Sequence, residues 1–157
     1  AADETGGGTD IDEETLKRKA RVVGDAINLH KNQSNDAYDV LRCVGGREIA
    51  AMAGAILAAR YQRVPVLLDG YVSCAAAAIL GTIRSDALDH CLVGHISAEP
   101  GHKRLIEKLG KQALLDFGMR LGEGSGAALA IPLLRASAEC HNGMATFVKA
   151  GVTSRDA

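Results

Sequence analysis

One short run of the chain, Val64-Pro65-Val66-Leu67-Leu68-Asp69-Gly70, is almost entirely apolar and ends in an Asp-Gly pair. Such a run, with β-branched residues and a turn signal after it, is typical of a parallel strand buried on both faces. A second run of the same kind is Asp89-His90-Cys91-Leu92-Val93-Gly94-His95. We therefore predict two parallel strands in this part of the chain.

Helical patterns surround these two strands. Apolar residues at 49, 52, 53, 56 and 57 follow the spacing of one helix face, and Val72 to Ile83 is an Ala-rich helical segment. The order is helix, strand, helix, strand. This alternation predicts an α/β domain, Rossmann-like, with three layers in which helices cover both faces of a parallel sheet.

The carboxyl ends of the strands are the expected place for a ligand. Right-handed crossovers bring these ends to one edge of the sheet, where open α/β sheets bind their ligands. The loop after Leu68 and the loop after His95 therefore merit inspection. The second of these continues as residues 97–102 into a predicted helix, His102 to Leu109.

The first third of the chain reads as loop and helix. Residues 1–14 are loop by composition, and the apolar spacing that starts at Leu16 predicts a helix to about His30. Either Thr15 or Asp12 could cap this helix. After a polar break, residues 36–43 form a candidate short helix that Gly45-Gly46 would end.

A glycine-rich segment, Gly122-Glu123-Gly124-Ser125-Gly126, precedes the apolar helical segment Ala127 to Leu134. A glycine-rich turn at a helix N-terminus offers free backbone N–H groups and suits phosphate, although many such loops are plain turns. It lacks the third glycine of a dinucleotide fingerprint and the Lys of a Walker A loop. Pro132 predicts a kink or break in the helix that follows.

Glu123 is the side chain of this loop with the clearest chemical potential. Its neighbours are glycines, which can neither shield nor pair with its carboxylate. Because a phosphate would not favour a facing carboxylate, the simplest interpretation is that Glu123 faces another part of a substrate and accepts a proton as a general base. The alternative is a solvated or N-capping Glu at a helix start.

The composition excludes several classes of function. Eighteen basic residues balance nineteen acidic ones, and aromatic residues are 3% of the chain. A basic stripe that would track phosphates is missing, as are the aromatic platforms that stack bases, so we expect no nucleic-acid partner. The longest strongly apolar run, Cys74 to Leu80, is shorter than a membrane span, so we expect no membrane partner.

The four cysteines are widely spaced and form no C-x-x-C pair. We interpret them as reduced, mostly buried thiols of a cytoplasmic protein. His90-Cys91 and Cys140-His141 are adjacent pairs whose side chains would diverge on a regular element. We therefore predict neither a metal site nor a cofactor.

Several segments together resemble the nicotinate-nucleotide:dimethylbenzimidazole phosphoribosyltransferase family, in the same order over nearly the whole chain. Thr146-Phe147 to Gly151-Val152 is similar to the closing segment of that family. The other similar segments are residues 46–54, the strand run 64–70, His95-Ile96-Ser97-Ala98-Glu99-Pro100-Gly101-His102, and Gly118-Met119-Arg120-Leu121-Gly122-Glu123-Gly124-Ser125-Gly126.

The resemblance implies a reaction in which nicotinate mononucleotide and the benzimidazole base 5,6-dimethylbenzimidazole give α-ribazole 5′-phosphate and nicotinate. It implies that Glu123 is the catalytic general base and that the protein is a homodimer. By position it nominates a set of substrate-binding residues, which consists of Ser97, Glu99, Gly101, Arg120, Leu121, Gly122 and Lys19.

Three residues keep an alternative: Lys19 from this set, and His102 and Asp69 outside it. Lys19 could be a solvated helix charge beside Lys17 and Arg18. His102 is expected to pack at a helix N-terminus, and Asp69 could hold a loop or contact the ligand.

The chain also departs from the family pattern. We interpret residues 1–157 as one domain that corresponds to the C-terminal part of the family enzyme, whose sheet is incomplete relative to the family. The beginning of the chain reads more like the middle of a protein. Asp10 stands where the family pattern predicts glycine. The competing hypothesis is a truncated, inactive relative that acts as a ligand-binding or dimerisation module.

Overall fold

The computed structural model describes residues 5–6 and 12–153. Six α-helices and three strands alternate in this part of the chain, and a single π-helical turn, Leu41–Gly45, separates α2 from α3. In chain order the elements are α1 (Glu13–His30), α2 (Ala37–Val40), α3 (Gly46–Tyr61), β1 (Val66–Leu68), α4 (Tyr71–Ile83), β2 (Cys91–His95), α5 (His102–Lys108), β3 (Ala113–Leu115) and α6 (Ser125–Gly143).

The three strands form one parallel sheet in the order β1-β2-β3. Leu67 pairs with Leu92 between β1 and β2, and Val93 pairs with Ala113 between β2 and β3. The two predicted strands are confirmed, whereas β3 was not predicted. It is only three residues long and has no β-branched residue, so its pattern does not differ from that of a loop with three apolar residues.

Helices cover both faces of this sheet, which confirms the predicted three-layer α/β class. Cys91 and Val93 point to one face, where they join the buried core with Cys74 and Leu80 of α4 and Ile106 of α5. The other face is approached by α6, because a Cβ built on Gly94 would lie 3.0 Å from Cα of Ala127. Glycine at 94 therefore permits α6 to pack directly on the sheet.

Burial on the two strands is less complete than predicted. In β1 only Leu68 is buried, while Val66 and Leu67 are half-buried. In β2, Leu92 keeps 40% of its surface exposed. On α3 the predicted face packs inward at Ala53 and Ile56, but Leu57 is 54% exposed. The prediction that both strand faces are fully buried is therefore wrong for the described residues.

The helix boundaries correct three predictions from the sequence. Asp12 caps α1, since its Oδ1 accepts a hydrogen bond from the Thr15 N–H at 2.7 Å, so the helix begins at Glu13 and the predicted loop is too long. The rest of that predicted loop, with Asp10, lies largely outside the described residues. The short helix after Asp36 continues through the π-helical turn, and the chain bends at Gly46, whose φ is +79°.

The third correction concerns α6, which runs without interruption through Pro132 to Gly143. Pro132 cannot donate to the carbonyl of Ala128, and a kink or a break was predicted for that reason; the break does not occur. Both residues are exposed, so water can satisfy the freed carbonyl oxygen. Within the described residues, no helix combines the length and apolarity that crossing a bilayer requires.

Candidate active site at the carboxyl ends of the strands

A cavity of about 460 Å³ lies where the carboxyl ends of β1 and β2 meet the glycine-rich loop before α6. Its walls come from the loop after β1, the end of β2, the loop that follows it and residues 120–124. This is the edge at which the sequence placed a ligand site. The cavity gathers six of the eight predicted site residues, namely Ser97, Glu99, Arg120, Leu121, Gly122 and Glu123.

A slightly larger groove of about 530 Å³ lies at the opposite edge of the sheet, between the end of α4 and the end of α5. Lys111 lines this groove, and its Nζ donates a hydrogen bond to the carbonyl of Leu88 at 2.8 Å. Since that lysine joins two connections of the fold and none of the predicted site residues lines this groove, the smaller cavity is the stronger candidate for chemistry.

The glycine-rich loop has an unusual backbone. Gly122, Glu123 and Gly124 are three successive left-handed residues with φ angles of +79°, +57° and +78°. The left-handed conformation costs a residue with a Cβ about 1–2 kcal/mol. Such strain in a non-glycine residue is concentrated at functional sites. The Ser125 N–H closes the turn on the carbonyl of Gly122 at 3.1 Å, and α6 begins there.

Glu123 lies at the mouth of the cavity, where it is exposed. Its side chain therefore has both water and the cavity within reach, which suits a group that must accept a proton and release it again. The sequence assigned the role of base to this residue, and the structure places it beside a cavity.

Asp69 connects the end of β1 with the first turn of α6. Its Oδ1 accepts a hydrogen bond from the backbone N–H of Ala127 at 2.8 Å. An acidic side chain is favourable at a helix N-terminus, where it satisfies a free N–H and interacts with the helix dipole. Of the two roles left open by the sequence, the structure shows that Asp69 holds the helix, although it also lines the cavity.

Ser97 is held in place by His102. The Ser97 backbone N–H donates to Nδ1 of His102 at 2.9 Å, and the Ser97 Oγ lies 2.9 Å from the same nitrogen. On the other side of the ring, Nε2 lies 3.3 Å from Sγ of Cys74. His102 is fully buried as the first residue of α5, which agrees with its expected packing role.

Burial keeps this group of residues neutral. Desolvation, with a smaller contribution from His95, lowers the pKa of His102 to about 4. Desolvation likewise raises the pKa of the Cys74 thiol to about 12. A neutral imidazole whose Nδ1 accepts from Ser97 must carry its proton on Nε2, so it donates to the Cys74 sulfur.

The loop after β2 and the segment before Gly122 are joined. The backbone N–H of Ala98 donates to the carbonyl of Met119 at 3.0 Å. This bond brings Ser97 and Glu99 to the same side of the cavity as Arg120 and Leu121. Two segments that are separate in sequence therefore form one wall.

Lys19 and Gly101, the other two predicted binding residues, do not line the cavity. Lys19 Nζ donates to the carbonyl of Gly6 at 2.8 Å, while a Cβ on Gly6 would overlap the Glu99 carboxylate. Lys19 is therefore tied to the segment that covers Glu99, unlike Lys17, which forms an exposed ion pair with Glu13. Gly101 is buried just before α5.

His95 is the most deeply buried of the wall residues that were not predicted as site residues from the sequence. It is 1% exposed at the end of β2 and lines the cavity. A polar residue at the carboxyl end of an apolar strand was the available signal. Within residues 5–6 and 12–153, no cluster of three or more His, Cys, Asp or Glu side chains is arranged to hold a metal ion.

Comparison with known proteins identifies the family of the chain. The family model described as phosphoribosyltransferase matches residues 1–152, and the chain belongs to that family. Two relatives, both called nicotinate-nucleotide–dimethylbenzimidazole phosphoribosyltransferase, come from Rhizobium leguminosarum bv. trifolii (strain WSM2304) and Sinorhizobium medicae (strain WSM419). The first is 60% identical over 156 residues and the second 61% over 150.

These alignments cover 99% and 96% of the chain but only 46% and 44% of the relatives. The chain therefore spans a little under half of their length. Among solved structures, CobT from Thermus thermophilus is similar, with a TM-score of 0.87 and 41% identity over 97% of this chain and 45% of that one. The family resemblance seen in the sequence is confirmed.

Proposed function

We propose that the enzyme carrying this sequence transfers phosphoribose from nicotinate mononucleotide to 5,6-dimethylbenzimidazole, giving α-ribazole 5′-phosphate and nicotinate. The observation that carries the proposal is Glu123, a left-handed residue between two glycines at the mouth of the cavity. The names of relatives about 60% identical to the chain support the choice of substrates.

Glu123 acts as the general base in this reaction. A benzimidazole nitrogen attacks C1′ of the ribose, the bond from C1′ to the pyridinium nitrogen breaks, and its electron pair neutralises the positive charge on the departing nicotinate. The proton of the attacking base moves to the Glu123 carboxylate. Attack on the face opposite the leaving group inverts C1′ and gives the α-linkage.

The remaining wall residues position the two substrates. Arg120 supplies a positive charge for the phosphate or the nicotinate carboxylate. Ser97 supplies a hydroxyl, and Leu121 and Gly122 form the backbone and apolar surface beside the base. Lys19 and Gly101 support substrate binding from outside the wall. Lys19 acts through its hydrogen bond to Gly6, which lies against the Glu99 carboxylate. Gly101 acts from the start of α5.

The protein acts as a homodimer in this proposal. The first half of α6 and the segment after the helix expose apolar side chains, including Leu133 at 47%, Phe147 at 70% and Val148 at 91%. An apolar surface of this kind suits an association interface. Light scattering coupled to size-exclusion chromatography measures the mass directly, and a monomeric mass at micromolar concentration would contradict the dimer.

The cytoplasm is the proposed location. Cys43, Cys74, Cys91 and Cys140 are all free thiols, which are compatible with a reducing compartment. Two of them, Cys74 and Cys91, are buried, whereas Cys140 is exposed, so the expected burial of the thiols holds for those two.

Chromatographic detection of α-ribazole 5′-phosphate after incubation with both substrates tests the function. Glu123→Gln should remove most of the product, because the amide cannot accept the proton. Glu139→Gln, an exposed change on α6, is the matched control and should retain full activity. Nucleotide binding without product would favour the non-catalytic binding module, and undiminished turnover of Glu123→Gln would exclude Glu123 as the base.

A further inference from the structure

His95, at the wall of the cavity, has ring nitrogens with unsatisfied hydrogen bonds. Its side chain is almost completely buried, yet Nδ1 and Nε2 both lack a hydrogen-bond partner among the residues that the structure describes. A buried polar group without a partner costs about 1–3 kcal/mol. His95 lines the cavity, and both of its ring nitrogens are closed to water in the described structure, so a group that enters the cavity can supply the missing bond once the wall beside the ring opens slightly.

The surroundings of His95 hold its ring in one place. A Cβ at Gly126 would overlap the ring carbon Cδ2, so the first turn of α6 packs directly against the imidazole. A Cβ at Gly70 would lie 3.6 Å from Nε2, which places this nitrogen next to the loop after β1. The His102 ring is 6.3 Å away, centroid to centroid, in an edge-on arrangement.

Asp69 is the charged group that lies beside Nε2. Its Oδ1 is 3.8 Å from Nε2, a distance too long for a hydrogen bond. An oxygen atom that lies to the side of the line joining these two atoms can be about 2.8–3.0 Å from each and bond to both. This oxygen must accept from the imidazole N–H and donate to the carboxylate, because an ionised carboxylate only accepts.

A hydroxyl group has this combination of donor and acceptor, whereas a phosphate does not. An anionic phosphate has no hydrogen to offer Asp69, and the two negative charges would repel. We propose that His95 and Asp69 together bind one ribose hydroxyl of the nucleotide substrate, because the ribose is the part of the nucleotide that bears hydroxyl groups. This inference rests on the function proposed above.

The kinetic test combines a change in the protein with a change in the substrate. We measure kcat/KM for nicotinate mononucleotide and for its 2′-deoxy and 3′-deoxy analogues, in the wild-type enzyme and in His95→Phe. One analogue should react about 10- to 100-fold less efficiently with the wild type, as expected for a lost hydrogen bond to a charged group such as the Asp69 carboxylate. In His95→Phe the difference in kcat/KM between nicotinate mononucleotide and that analogue should fall to roughly threefold or less, because the partner of that hydroxyl is already missing.

A histidine NMR experiment provides a readout that does not need turnover. Addition of nicotinate mononucleotide should move the ring ¹⁵N resonances of His95, and the analogue without the critical hydroxyl should not. The five histidines are assigned by single His→Gln variants. Exposed His141 on α6 is the internal control and should not respond.

The fold of the variant is itself informative. His95→Phe removes two unpaired buried nitrogens but places a larger ring against the first turn of α6, so its free energy of unfolding should lie within about 1–3 kcal/mol of the wild-type value. If that variant nevertheless fails to fold, the analogues with the wild-type enzyme and the NMR titration still decide the matter, and His141→Phe serves as the matched substitution.

The experiments distinguish a failure of this inference from a failure of the proposed function. The inference is overturned if the nucleotide shifts the backbone amides of Ser97 and Glu123 while the His95 ring does not respond, or if both analogues show the same penalty in His95→Phe as in the wild type. An ordered water would then be the partner of His95. If the nucleotide causes no shifts and no product forms, the proposed function fails and this inference fails with it.

Discussion

The carboxylate of Asp69, at the end of β1, accepts a hydrogen bond from the backbone N–H of Ala127 in the first turn of α6 at 2.8 Å. The two residues are 58 positions apart in the chain. Glu123 lies on the loop that leads into this turn, so the bond determines where the proposed base stands relative to the sheet. Asp69 is for this reason a positioning residue in addition to its place at the cavity wall.

Asp69→Ala should lower the free energy of unfolding by about 1–2 kcal/mol, because it removes the bond to a free helix N–H. It should also lower kcat, since the loop with Glu123 loses its support. Urea unfolding and steady-state kinetics measure the two effects. Asp116→Ala, at an exposed position just after β3, should change neither. A normal kcat in Asp69→Ala would show that the loop keeps its place without this bond.

Gly126→Ala should destabilise the protein by about 1–3 kcal/mol, because the new methyl group would overlap the buried His95 ring. Gly54→Ala on α3 is the control, since a Cβ there meets nothing within 4 Å. That change should stabilise the protein by about 0.5–1 kcal/mol through helix propensity. Equal effects at the two positions, measured by urea unfolding, would contradict the close packing of His95 on α6.

Glu123→Gly should increase the free energy of unfolding by about 0.5–1 kcal/mol while it abolishes product formation. Release of the left-handed strain at φ +57° outweighs the greater entropy of glycine in the unfolded chain. Arg63, at φ +59°, is the matched control: Arg63→Gly should give a similar gain with unchanged activity. A loss of stability in Glu123→Gly would mean that this side chain makes favourable contacts in the folded protein.

Stability should decrease as the pH falls from about 6.5 to about 4. Desolvation, followed by the nearby His95, lowers the pKa of His102 from 6.5 to about 4, so in this window the unfolded chain binds a proton that the folded protein does not. The stability that depends on neutral His102 is complete above pH 6.5 and is lost towards pH 4, by up to about 3 kcal/mol.

Urea unfolding at a series of pH values between 7 and 4 measures this loss. His102→Gln cannot titrate, so its stability should be lower at pH 7 and should vary less across the window. His141→Gln, an exposed change, should retain the slope of the wild type. An unchanged slope in His102→Gln would assign the pH dependence to other groups.

The local patterns were sufficient for most of the fold. The apolar run before Asp69 predicted β1, the Ala-rich segment predicted α4, and the second run predicted β2. They failed for β3, where pairing with β2 and not the residues themselves makes Ala113–Leu115 a strand. They also allowed a break at Pro132 that does not occur, because water can bond to the freed carbonyl on the exposed side of the helix.

The family pattern placed six site residues at the cavity but not the other two. Lys19 and Gly101 lie outside the wall, and the roles of all eight remain predictions that the experiments above test. His95 was missed because a histidine that ends an apolar strand has the same local sequence whether it packs in a core or faces a ligand. Only the absence of hydrogen-bond partners in the described structure separates the two cases.

The amino-acid sequence by itself determined the family, the alternation of helices and strands, and a loop in which glycines flank a single carboxylate. These properties depend on residues that are near one another in the chain, and periodicity and motifs record them. The tertiary structure alone decided that Asp69 holds α6, that His102 holds Ser97, and that His95 is buried at a cavity wall. Those properties depend on which distant segments meet and on how much water they exclude, and no local pattern specifies either.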